Sequence, residues 1–87
     1  MNFKQFSDIA YEIGSSYGVC TRCFKGKRPY YFCVEFRCED TFTNQDFTKA
    51  EIFDDYMTDG LMREILTRVV ESLKEELIEN ASLLHAL

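Results

Sequence analysis

Apolar residues near the N-terminus recur at helical spacing. Phe3, Phe6, Ile9, Ala10, Ile13 and Tyr17 form one stripe, which predicts an amphipathic helix over residues 3–16. Asn2 and Gln5 are spaced as a capping box, and Gly18 stands where a left-handed residue would end the helix. Gly14 weakens the last turn by about 1 kcal/mol relative to alanine. The period then falls to two. Residues 19–25 read as a short strand, and Lys25-Gly26-Lys27-Arg28-Pro29 as a turn. Residues 30–39 form the clearest strand. Tyr30, Phe32, Val34, Phe36 and Cys38 share a core face, while Tyr31, Cys33, Glu35, Arg37 and Glu39 share a face that is mostly wet.

Beyond this hairpin the pattern weakens. Residues 39–46 are polar and turn-rich, interrupted by Phe42. Residues 47–53 fit two periods. As a helix capped by Asp46 they stripe Phe47, Ala50, Phe53 and Tyr56; as a strand they alternate Phe47, Lys49, Glu51 and Phe53 with Thr48, Ala50 and Ile52. The strand is favoured, because a lone two-stranded hairpin is marginal and a third strand makes a usable sheet. An acidic connector over 54–60 follows, with Thr58 or Asp59 able to cap a final helix. That helix carries Met62, Ile65, Leu66, Val69, Val70, Leu73, Leu77, Ile78, Ala81 and Leu84 on one stripe. Residues 61–80 alone would span about 30 Å. Residues 80–82 are expected to fray or bend it, ahead of an apolar tail over 83–87. The fold expected is α+β: an N-terminal helix, a three-stranded antiparallel sheet and a long C-terminal helix (αβββα), in one domain over 1–87. One sheet face packs on both helices.

Composition narrows this further. Of 87 residues, 46% are hydrophobic; eight are Phe, five Tyr, one Pro and none Trp, so the core is aromatic and flexible linkers are absent. No apolar run approaches the roughly 18 residues of a membrane span, and the first residues lack a secretory pattern. A cytoplasmic protein with reduced thiols and no membrane partner is expected. The net charge of −5 is polarised. Residues 1–34 hold five basic residues against two acidic ones, and residues 35–79 thirteen acidic against five basic.

Candidate chemistry is sparse. Cys20 and Cys23 form C-x2-C, and Cys33 and Cys38 form C-x4-C. Four thiolates suit tetrahedral zinc, so a small zinc module is one alternative. All four lie inside strand patterns, however, and alternation puts the members of each pair on opposite faces. Some of them read better as small buried hydrophobes. His85 is the one histidine, the third residue from the end of the sequence, and no Gly-rich phosphate loop occurs. Neither an enzyme nor a cofactor is expected.

The αβββα order is also that of double-stranded RNA-binding domains, which place basic residues at the start of their second helix. Here Asp54, Asp55 and Asp59 occupy that position and repel phosphate, so direct nucleic-acid binding is not expected. Lys25, Lys27 and Arg28 leave only a basic turn. Glu35, Glu39, Asp40, Asp46, Glu51, Asp54, Asp55 and Asp59 form a candidate acidic edge. Spaced carboxylates on a small rigid sheet can imitate a phosphate backbone, and they suit a protein partner with a basic surface. Tyr31 marks a candidate aromatic surface.

In layout and charge the whole chain resembles small phage-encoded accessory proteins, acidic anti-CRISPR inhibitors among them. The resemblance implies a phage-type inhibitor of a host defence or nucleic-acid enzyme such as a CRISPR nuclease, working in the host cytoplasm, and assigns no residue. The alternative is a structural or regulatory protein that homodimerises through its long C-terminal helix; the chain is expected as a monomer or a homodimer.

Overall fold

A computed structural model describes the backbone of residues 1–26 and 31–86, and the side chains of residues 1–26 and 31–79. Tyr30, Lys27, Arg28 and the turn expected around them lie outside the described residues, as do the side chains of the tail.

Helix α1 spans Phe3–Tyr17. The Asn2 side chain accepts the Gln5 amide, and the Gln5 side chain accepts the Asn2 amide, so the capping box is complete. Gly18 ends the helix at φ 67°. Strands β1 (Cys20–Lys25), β2 (Tyr31–Cys38) and β3 (Thr41–Thr48) form an antiparallel sheet in the order β1-β2-β3. Cys20 faces Arg37, Lys25 faces Phe32, Tyr31 faces Thr48 and Cys38 faces Thr41. A short helix α2 (Lys49–Phe53) and the long α3 (Asp59–Ala86) complete the α+β layout.

The third strand lies six residues earlier than the alternation of 47–53 suggests. Residues 41–48, expected to begin as a turn, are β3, and 49–53 are helical. The cap of α2 is Thr48 in place of Asp46: its hydroxyl accepts the Glu51 amide, and Glu51 reaches back to the Thr48 amide. The physical cause is pairing. Glu39 and Asp40 alone make the turn after β2, so strand pairing resumes at once. Glu39 takes a left-handed φ of 56° to close it.

Both long helices cover one sheet face. Helix α1 lies over β1 and α3 over β3, and they run side by side. Arg63 bonds Glu12 at 2.9 Å, and the Tyr17 hydroxyl donates to Glu71 at 3.0 Å. Between helices and sheet sit Phe6, Phe32, Val34, Phe36, Met62 and Leu66, all essentially inaccessible. Phe6 meets Phe47 edge-on at 5.6 Å, and Phe3 meets Phe32 edge-on at 4.9 Å. Helix α3 is longer than residues 61–80. Its Thr58 cap accepts the Leu61 amide, and the helix continues through residues 80–82, reaching past the β2–β3 turn.

Candidate interaction surface

The strands separate the cysteines. Cys20 and Cys33 belong to the sheet face that no helix covers; Cys23 and Cys38 turn towards the helices. All four are free thiols, and among the described residues no three His, Cys, Asp or Glu side chains converge as a metal site. Cys33 departs from its expected wet setting and is only 7% exposed. It lies between its cross-strand neighbours Phe24 and Asp46. Burial, and then the Asp46 carboxylate, push its thiol up to about 11, which keeps it protonated and unreactive at neutral pH. Burial likewise raises the Cys23 thiol, partly offset by Ser7. An open groove of about 340 Å³ between the β2–β3 turn and α3 is lined by Cys38, Glu39, Lys74, Leu77 and Ile78. It holds one acid, Glu39, one base, Lys74, and one thiol, Cys38, to which the Lys74 ammonium donates at 4.0 Å.

The eight acidic residues of the expected edge do not make one patch. Glu39 and Asp40 sit at the turn before β3, whereas Glu51, Asp54, Asp55 and Asp59 lie beyond its other end. Seven strand steps, about 23 Å, separate the two groups. Asp46 is near the second group but is turned to the open face beside Cys33. Glu35 lies mid-sheet on that face, between Arg22 and Asn44. Several of these carboxylates also serve local structure. Glu51 completes the α2 cap, Asp54 accepts the Tyr56 amide at 2.9 Å, and Asp59 holds Arg63 at 2.8 Å. Glu12 and then Asp59 raise the Arg63 guanidinium above its ordinary pKa, so it stays charged and ties the start of α3 to α1.

What the α2–α3 corner adds is aromatic surface. Tyr56 is 86% exposed and Phe53 54% exposed, with Asp54 and Asp55 between them in the chain. Leu61, at the start of α3, is also exposed. The hydrogen bonds donated by the Tyr56 amide to the Asp54 carboxylate and by the Met57 amide to the Asp54 carbonyl at 3.0 Å hold the corner as a turn. Tyr31, the aromatic expected at the surface, is half-buried instead. The signal for the corner was present in the sequence as Tyr56 set among Asp54, Asp55 and Asp59. Comparison with family models, curated proteins and solved structures finds no match to this chain.

Proposed function

We propose that this chain is a non-catalytic protein-binding module that docks its acidic, aromatic α2–α3 corner onto a basic protein surface. The observation that carries this reading is the exposure of Tyr56 and Phe53 beside Asp54 and Asp55. Interface cores are enriched in Tyr and Phe, and a few aromatic anchors supply most of the binding energy. The flanking carboxylates raise the association rate with a cationic partner and select against acidic ones. Surfaces that hold nucleic-acid phosphates are extended and cationic, so a nucleic-acid enzyme is the partner class that suits this corner. An inhibitor of phage type, occluding the phosphate channel of a host defence nuclease, fits the charge and the size. The chain itself has no basic stripe among the described residues with which to grip a duplex.

The experiment is competition. The immobilised chain is exposed to bacterial lysate, and the retained protein is titrated calorimetrically at two salt concentrations. Duplex DNA should compete for it. Tyr56→Ala, and separately the double change Asp54→Lys with Asp55→Lys, should each weaken binding by about tenfold or more, or 1.4 kcal/mol. Raised salt should cost the wild type more than the double variant. Retention that neither variant nor DNA affects sinks the reading.

A further inference from the structure

The two edges of the sheet are finished differently. In an antiparallel sheet, each residue directs its backbone N–H and C=O to one neighbour only, and the direction alternates along the strand. The Gly26 amide donates to the Tyr31 carbonyl at 2.9 Å, which sets the phase for the β1–β2 pair. Arg22 and Phe24 therefore bond inward to β2, and Thr21, Cys23 and Lys25 point outward. That outer edge is covered by α1: the Tyr11 hydroxyl accepts the Cys23 amide at 3.4 Å. On β2 the same phase leaves Phe32, Val34, Phe36 and Cys38 bonding to β3, through Phe47, Gln45, Thr43 and Thr41. The outward groups of β3 thus belong to Phe42, Asn44, Asp46 and Thr48. The Thr48 amide is taken by Glu51 at 3.0 Å. Among the described residues, nothing accepts the amides of Phe42, Asn44 and Asp46. The edge carries no proline, no lysine and no bulge, the usual devices that blunt an open strand.

We infer that β3 is completed by the β3 of a second copy of this chain, joining two sheets into one of six strands. Three observations select a second copy. First, the strand is compatible with itself. Antiparallel pairing about a two-fold axis at Asn44 sets Phe42 opposite Asp46 and Thr43 opposite Gln45, so no like charges face each other. It also brings Lys49, just past one end of the strand, towards Glu39, just past the other. Second, the helix above this edge offers matching apolar surface. Arg63 and Glu71 face α1, so Leu61, Ile65 and Val69, two residues round at i, i+4 and i+8, lie on the opposite flank of α3. Leu61 is 38% exposed, and Ile65 and Val69 are half-buried. Third, the strand itself carries little charge to oppose pairing. Arg68 is neutralised by Glu64 at 2.7 Å, and Asp46 is the one charge on the strand. Leu61 borders both this flank and the α2–α3 corner, whereas Phe42, Asn44 and Asp46 lie on the strand and outside the corner, so a change at Asn44 tests the pairing separately from the function proposed for that corner.

The full chain should dimerise reversibly in sedimentation equilibrium across the micromolar to submillimolar range. In the dimer, the amides of Phe42, Asn44 and Asp46 should exchange hydrogen much more slowly than in dilute monomer. Asn44→Pro removes an outward donor and places a ring on the edge without breaking a bond to β2, which an edge strand tolerates. It should raise the dimer dissociation constant by about tenfold or more. Leu61→Lys, on the helix flank and outside the sheet, should do the same with the monomer's circular dichroism intact. A chain that stays monomeric at every concentration overturns the inference. So does a dimer that both variants leave untouched, or one whose three edge amides exchange as in the monomer. Protection of those amides only on binding a different protein would give the edge to that protein and equally overturn self-pairing.

Discussion

Neighbouring residues on β2 have opposite fates, and their energetics follow. Phe36 is fully buried and Arg37, one position on, is exposed on the other face. Phe36→Ala should cost about 3–5 kcal/mol in urea denaturation, and Arg37→Ala under about 1 kcal/mol. Equal losses would show that the sheet faces are reversed. Gly14 is a subtler case. By helix propensity, alanine there should stabilise; but a β carbon at Gly14 would run into the Thr21 hydroxyl, and behind it the Phe36 ring. Gly14→Ala should therefore destabilise by about 1–3 kcal/mol. The Thr21 hydroxyl is buried without a hydrogen-bond partner among the described residues, so Thr21→Ala loses little. In the double variant most of the Gly14→Ala penalty should vanish, and the coupling is read from a double-mutant cycle. Cys33 makes a pH prediction. Its folded pKa of about 11 lies above the ordinary 9.0, so its contribution to stability is complete below pH 9. That contribution is lost as pH rises from 9 to 11, because the unfolded thiol ionises first. Cys33→Ser should flatten the fall in melting temperature across that window.

At the scale of elements, legibility depended on which faces carry apolar residues. The stripes of α1 and α3 and the alternation of β2 were plain, because each buries one side against the core. In β3 only Phe47 is buried, and the alternate positions Thr41, Thr43 and Gln45 are half-exposed polar residues. An edge strand of that kind has no hydrophobic period to detect. The five residues of α2 fit two periods, and Ile52 is the one buried among them. A turn was expected within residues 39–46, but its restriction to Glu39 and Asp40 was not legible, since glycine is the residue that commonly takes a left-handed φ. What the sequence did contain is Thr48 followed three residues later by Glu51, a capping box that marks the start of α2. Thr48→Ala should cost about 1 kcal/mol by thermal denaturation. If that loss is absent, the passage from β3 into α2 is not held by its cap.

The whole molecule is stabilised by packing between one sheet face and two helices. Purified protein should hold well under one zinc per chain and keep its circular dichroism in EDTA, because the aromatic contacts persist without a metal. A tightly held zinc whose removal unfolds the chain would overturn the strand positions of Cys20, Cys23, Cys33 and Cys38 as well as the absence of a site. Charge is distributed at the same scale. Glu39 and Asp40 stand at one end of β3 and Asp54 and Asp55 at the other. Reversing Asp54 and Asp55 alone therefore tests one end without the other, and the melting temperature should be nearly unchanged because both are exposed.

Local chemistry is written in the sequence and was readable there: the Asn2 and Gly18 ends of α1, the inward face of β2, the long apolar stripe of α3 and the division of the cysteines between two faces. Each follows from backbone geometry over a few residues, which neighbours in the chain suffice to set. Tertiary structure alone decided the rest. Pairing with β2 placed the third strand at Thr41–Thr48 and split the acids between its ends. Cross-strand neighbours buried Cys33 on the outer face, and Thr21 made a glycine necessary at position 14. Helix α1 closed one sheet edge and left the other open. These outcomes depend on which residues meet across the fold, and neither period nor propensity within one segment carries that information.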